Sequence, residues 1–350
     1  MLKSLHLSSF RSYSQLNLDL TERVTLILGP NATGKTNILE AVYLAATGHS
    51  FRADDSALIS YGSEGYRVDT TYDDEILSVA FRTAPRKQKR VLRNEVAISQ
   101  HTLLGLHPVV LFEPGDLTLL TGPPARRRRY LDLLLSQTSD SYYQSLVIYR
   151  RLIKQRNALL WRNKRSPLAD LDDQLFILDT QLIEPTRVLY EARKALIIWL
   201  EPIIQRRVDH IAKDSIGISM RYLSSSGDIF EQLQNRRQRD IVLGTTSVGP
   251  HREDWQVLID EKPIEERASR GENRTLLLAL KLAEVDYYRH QENIPTPTLL
   301  LDDVFSELDE SRRHLLIEVL DDIQTIITST DIDRRLDLPA QVLDLTRPLV

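Results

Sequence analysis

Lys35 and Thr36 lie in the stretch GPNATGKTN, which begins at Gly29. Gly29, Pro30, Asn31, Ala32, Thr33, Gly34, Lys35, Thr36 and Asn37 fit the phosphate-loop pattern G-x-x-x-x-G-K-[ST]. In such a loop, backbone N–H groups at a helix start face phosphate oxygens, and the helix dipole favours the negative charge. Lys35 would reach the β- and γ-phosphates, and the Thr36 hydroxyl would ligate Mg²⁺. A second set of chemical groups stands in LLLDDVFSELDE, where Asp302 and Asp303 follow an apolar run. Asp302 can hold Mg²⁺, usually through water, and Asp303 can orient or activate an attacking water. The plainer alternative is a solvated acidic turn. The third set is in ASRGENRTLLLALKLAE. Ser269 and Glu272 have capping-box spacing, while Ser269 and the Gly271 backbone at a helix start would also suit a γ-phosphate. The spacing alone supports both readings.

Each set needs an element to hold it. Val24, Leu26 and Leu28 read as a strand entering the loop, and Ile38, Leu39, Val42 and Tyr43 have the spacing of a helix leaving it. Leu299, Leu300 and Leu301 form the fully apolar run of a buried parallel strand, with Asp302 at its C-terminal end. Near the start, Leu5 and Leu7, then Leu16, Leu18 and Leu20, alternate as a hairpin of strands. A second β-rich stretch, SVAFRTAPRKQKRVLRNEVAI, surrounds a basic turn, and Pro and Gly punctuate the segment from Pro114 to Pro124.

From about Arg126 to about Val208 the character changes, because glycine disappears and long helical patterns take over. Tyr149, Leu152, Ile153, Leu159 and Leu160 mark one apolar stripe; Leu175, Leu178, Leu182 and Ile183 mark another. The break at Ser166-Pro167 predicts an antiparallel helical pair. Strand signals return in IGISMRYL and DWQVLID. The expected architecture is α/β: a nucleotide-binding domain, a mixed sheet with a phosphate loop, over residues 1–120 and 236–350. An inserted, mainly helical lobe occupies 121–235.

The chain has 350 residues, 42% of them hydrophobic and 27% charged, as in ordinary globular proteins. No apolar run approaches the ~20 residues that span a bilayer. Cysteine is absent, so disulfides and Cys-ligated metal are excluded and a cytoplasmic setting is the expectation. A net charge of −4 gives no global attraction to nucleic acid, so DNA contact would need local basic patches.

In order along the chain, a phosphate loop, an S-x-G signature and an Asp-Asp strand end followed by SELD resemble ABC-type ATPase heads. LHLSSFRSY, FEPGDLTLLTGPPARRRRYLD and SVGPHREDW complete a pattern similar to the RecF family, relatives of the SMC proteins. The resemblance implies an ATP-dependent DNA-binding protein of recombinational repair, with ATP and Mg²⁺ as cofactors and a weak, DNA-stimulated ATPase. It implies action at gapped junctions of single- and double-stranded DNA with RecO and RecR, helping to load RecA, and no role at a membrane. It further implies an ATP-dependent homodimer, in which Lys35, Thr36 and Asp302 of one subunit face Ser269 and Gly271 of the other. Asp303 takes the catalytic carboxylate role beside Lys35, and Asp309 sits at the seam.

Three departures from transporter heads stand out: Asp303 replaces the usual Glu, Ser-Arg-Gly-Glu-Asn replaces Ser-Gly-Gly-Gln, and Thr328 to Asp331 replace a switch His. Together with the helical insertion and the lack of a Q-loop glutamine, they argue against a transporter ATPase. The insertion also holds too few heptads for a long SMC coiled coil. Three basic clusters are candidates for DNA: Arg86 to Arg93, Arg126 to Arg129 (Arg126, Arg127, Arg128 and Arg129), and Arg150 to Arg165. Tyr142, Tyr143 and Trp161 interleave with the last and either stack bases or pack inside the lobe. His251 and Arg252 either approach nucleotide or DNA, or are structural.

Overall fold

A computed structural model describes residues 1–73, 75–211, 216–224, 227–304, 313, 316–317, 320, 322–330 and 340–346. The chain divides into two compact units, Met1–Leu117 with Arg274–Val350, and Thr118–Asn273.

The first unit contains two sheets. One is antiparallel, in the order β2 (Tyr13–Asp19), β1 (Leu2–Phe10), β4 (Gly65–Tyr72), β5 (Glu75–Arg82), β6 (Gln88–Arg93) and β7 (Val96–Ala97). Leu5 opposite Leu18 and Leu7 opposite Leu16 realise the expected hairpin. The other is parallel, in the order β14 (Ala340–Asp344), β3 (Val24–Leu28), β13 (Thr325–Ser329), β12 (Thr298–Asp302) and β8 (Val109–Phe112). Every residue of β3, β12 and β13 is buried, as expected for strands covered on both faces. Helix α1 (Lys35–Thr47) leaves β3 through the phosphate loop, and α2 (Gln100–Leu104) precedes β8. In a parallel sheet the C-terminal ends of β3, β12 and β13 share one edge, which collects residues distant in sequence.

The second unit is a helical lobe with a small sheet. Its helices are α3 (Pro124–Thr138), α4 (Asp140–Arg165), α5 (Leu171–Ile211), α6 (Ile229–Leu243) and α7 (Ile264–Arg267). The expected pair is antiparallel: Arg156 meets Asp179 and Tyr142 meets Arg193, so paired positions move in opposite directions along α4 and α5. Leu159, Leu160, Leu171 and Leu175 form the core next to the turn. Strands β9 (Ile218–Leu223) and β10 (Asp254–Ile259) pair antiparallel, and β11 (Lys262–Pro263) adds an edge.

The expected return of the first unit at residue 236 differs from the observed return at Arg274. The reason is pairing inside the lobe. β10 is bonded to β9, Asp240 on α6 binds Arg156, and Asp254 binds Arg127. The boundary falls within α8 (Arg270–His290), whose first turn belongs to the lobe.

Candidate nucleotide site

The phosphate loop runs from Gly29 to Gly34 between β3 and α1. Gly34 adopts φ 99°, and a Cβ there would sit 2.5 Å from the Tyr13 hydroxyl and 3.0 Å from Ser12 Oγ. Only glycine lets the chain pass so close to β2 in that conformation. Burial pushes the Tyr13 hydroxyl up to about 12, so it stays protonated at neutral pH. Lys35 is buried at the first position of α1, and its ammonium donates to the Gly29 carbonyl (2.7 Å) and the Pro30 carbonyl (2.8 Å). Desolvation draws its pKa below the ordinary lysine value, and the Asp303 and Asp302 carboxylates act against that shift.

The two halves of the expected site meet. The Thr36 hydroxyl donates to Asp302 Oδ1 at 2.9 Å, although 266 residues separate them. Thr328 on β13 donates to the same oxygen at 2.8 Å. Asp303, just past β12, sits in the left-handed region at φ 51°, where a non-glycine residue costs about 1–3 kcal/mol and is concentrated at functional sites. Its N–H donates to the Thr328 hydroxyl (3.0 Å) and carbonyl (3.2 Å), which hold it in that conformation. Thr328 thus stands at the strand end where a transporter would carry a switch His; Asp331 and Asp309 lie outside the described residues.

One cluster was not legible in the sequence. Glu40 on α1 is fully buried and accepts two bonds from Arg11 (2.9 and 2.8 Å), one from Arg52 (2.5 Å) and one from Ser50 (2.5 Å). Burial raises the Glu40 pKa, but the bonds from Arg11, Arg52 and Ser50 outweigh it and hold the carboxyl below its usual range. Asn37 extends the cluster, donating to Ser12 and accepting from Arg52, both at 2.9 Å. These contacts tie the β1–β2 bend to the helix that presents Lys35 and Thr36. Arg11 stands in LHLSSFRSY, and its type was the only available signal.

In the lobe, the capping box forms. The Ser269 N–H donates to Glu272 Oε2 (2.7 Å), and the Glu272 N–H donates to Ser269 Oγ (3.2 Å). Glu272 therefore turns back onto the helix start. His251 is held by Tyr149 Oη at Nδ1 (2.5 Å) and by the Thr246 carbonyl at Nε2 (3.1 Å). Since the carbonyl can only accept, Nε2 carries the proton and Nδ1 accepts from the tyrosine; burial lowers the imidazole to about 4 and keeps it neutral. Arg252 binds the same carbonyl through Nε and Nη2. These contacts are structural.

Among the four expected DNA arginines, Arg127 is corrected. It is buried, bidentate to Asp254 (2.8 and 2.7 Å), and donates to the Leu120 and Gly122 carbonyls. A guanidinium so enclosed cannot meet a DNA phosphate. Arg128 donates to the Glu253 carbonyl, while Arg126, bonded to Thr118, and Arg129 are exposed. Arg127→Ala should therefore lower stability by about 3–5 kcal/mol, the cost of orphaning a largely buried partner carboxylate. Chemical denaturation measures this loss, and a shift below 1 kcal/mol would return Arg127 to the DNA candidates.

The RecF/RecN/SMC N terminal domain family matches residues 1–335. A "DNA replication and repair protein RecF" of Agathobacter rectalis is 37% identical, with 95% of this chain and 93% of the relative covered. The chain belongs to the RecF family. The protein of the same description from Leptospira interrogans is 32% identical, over 98% of this chain and 95% of the relative. A structure described as the recombination mediator protein RecF-ATP in the RecFOR pathway matches with a TM-score of 0.88 and 30% identity, covering 97% of this chain and 93% of that one. An SMC head domain from Pyrococcus furiosus shares the fold at a TM-score of 0.51 and 16% identity, with 94% and 89% covered. The fold is that of an ABC-type ATPase head, and this RecF family member joins its phosphate loop to the β12 strand end.

Proposed function

We propose that this chain is an ATP-gated DNA-binding protein of recombinational repair. The observation that carries the reading is the bond from Thr36 to Asp302 beside Lys35, which unites a phosphate loop with an acidic strand end. The donor set is a hydroxyl and a carboxylate, hard oxygen ligands that suit Mg²⁺. The loop that closes on Gly34 suits a polyphosphate. On this reading, residues Gly29 to Asn37 cradle the ATP phosphates, Thr36 and Asp302 hold Mg²⁺, and Asp303 orients water. The bound ion would neutralise phosphate charge.

ATP bound to the structural neighbour supports the nucleotide, and that neighbour's place in the RecFOR pathway supports RecO and RecR as partners. DNA gaps as the substrate, RecA loading, and an isologous dimer in which Ser269 and Gly271 of a second copy complete the site extend the same reading. Lys35→Ala tests it. A charge-assisted contact is worth about 1.5–3 kcal/mol, so the Kd for ATP with Mg²⁺ should rise at least tenfold by calorimetry, and the ATP-induced dimer should disappear. Unchanged affinity would sink the assignment.

A further inference from the structure

Helix α4 carries seven basic side chains and one acid, Asp140 at its first position. Two of the seven serve the lobe itself: Arg150 pairs with Asp132 at 2.8 Å, and the fully buried Arg156 pairs with Asp179 and Asp240. The other five, Arg151, Lys154, Arg162, Lys164 and Arg165, are exposed, and none forms an ion pair with a described residue. The remaining basic clusters differ. In residues 86–93, Lys89 is paired with Asp55 and Arg93 with Glu75, and no aromatic residue is present.

The spacing of the α4 cations matters as much as their number. Arg151, Lys154, Ala158, Trp161 and Arg165 follow one another at helical i+3 and i+4 steps, and Arg162 stands beside Trp161, four residues after Ala158. They lie opposite the buried stripe of Tyr149, Leu152, Arg156, Leu159 and Leu160. The helix rise from Arg151 to Arg165 makes the row about 21 Å long. At its far end Trp161 is 54% exposed, and the Arg165 guanidinium lies 4.0 Å from the centre of its ring. An exposed indole costs solvation, and here it is surrounded by positive charge without a carboxylate on the same face.

We propose that this outer face of α4 is a track for single-stranded DNA, with a base stacked on Trp161 and phosphates met by Arg151, Lys154, Arg162 and Arg165. The proposal rests on the DNA-binding reading above and names the surface. A row of cations with an aromatic platform is how sequence-tolerant single-strand sites are built, because every base has a face to stack and every linkage has a charge. An acidic protein segment would satisfy the charges but has no need of the paired indole and guanidinium, so the single strand is the better fit.

The test uses the full chain with ATP and a labelled oligo-dT of about 15 nucleotides, titrated at several salt concentrations. Trp161→Ala should raise the Kd about fivefold or more. Arg151→Ala with Lys154→Ala should flatten the slope of log K against log[salt] by roughly 1.4, about 0.7 for each lost phosphate contact. All three side chains are exposed, so melting and ATP-induced dimerisation should match the native chain, which separates this surface from the nucleotide site. Variants that bind oligo-dT like the native chain refute the α4 track and leave the proposed function standing. So does a poly-glutamate peptide that needs Trp161 when oligo-dT does not. A native chain that binds no DNA, with or without ATP, overturns both.

Discussion

Ser269→Arg should bind ATP with near-native affinity and remain a monomer. On the proposed arrangement the nucleotide is held by Gly29 to Asn37 of one subunit, and Ser269 of the other completes the site. The geometry at Ser269 suits that role. Its hydroxyl sits at the start of a 21-residue helix, where the dipole favours an anion. Glu272, whose charge would repel a phosphate, is turned back onto the Ser269 side chain and N–H, and these bonds hold its carboxyl below its usual range. Ser269→Ala separates the two readings of this residue. A cap alone predicts a loss of about 1 kcal/mol in stability with dimerisation intact. A signature serine predicts that dimerisation, hydrolysis and ATP-stimulated DNA binding fail together in Ser269→Arg. Calorimetry for ATP and light scattering for mass, on one preparation, give the answer. A Ser269→Arg chain that binds ATP and still dimerises would refute the sandwiched site.

The second large effect is on stability. Arg156→Met should destabilise the lobe by about 3–5 kcal/mol, enough to unfold much of the population in mild urea. Arg156 is fully buried on α4, bonded to Asp179 on α5 and Asp240 on α6 (both 2.7 Å) and to the Thr246 hydroxyl (3.0 Å). Methionine fills similar volume, so the loss measures orphaned carboxylates rather than a cavity. Arg237 still reaches Asp179 at 3.2 Å, but Asp240 loses its only arginine among the described residues. A change below 1 kcal/mol in the urea midpoint, at unchanged slope, would mean that water reaches this network.

The first prediction depends on residues whose types were legible in the sequence, and the second on a network that was not. Arg156 lies within the Arg150 to Arg165 cluster, read from its composition as a candidate DNA surface. Its helix phase, between Leu152 and Leu159 on the apolar stripe, was the available sign that it points inward.

What the sequence determined by itself is everything that acts over one or two turns of chain. The strand–loop–helix around Lys35, the apolar β12 run ending at Asp302, the Ser269–Glu272 box and the helical pair broken at Ser166 each depend on neighbours a few residues away. Glycine freedom, hydrogen-bond reach and hydrophobic period are local physics. What only the tertiary structure decided is which charges cancel. Arg127 finds Asp254 across 127 residues, and Thr36 at the start of α1 and Thr328 near the end of β13 converge on Asp302. Glu40 gathers Arg11 and Arg52 from opposite sides in sequence. A guanidinium has the same formula whether it faces water or a buried carboxylate. Its role is set by desolvation and by the partner that the fold brings within 3 Å, and neither is written in the residues beside it.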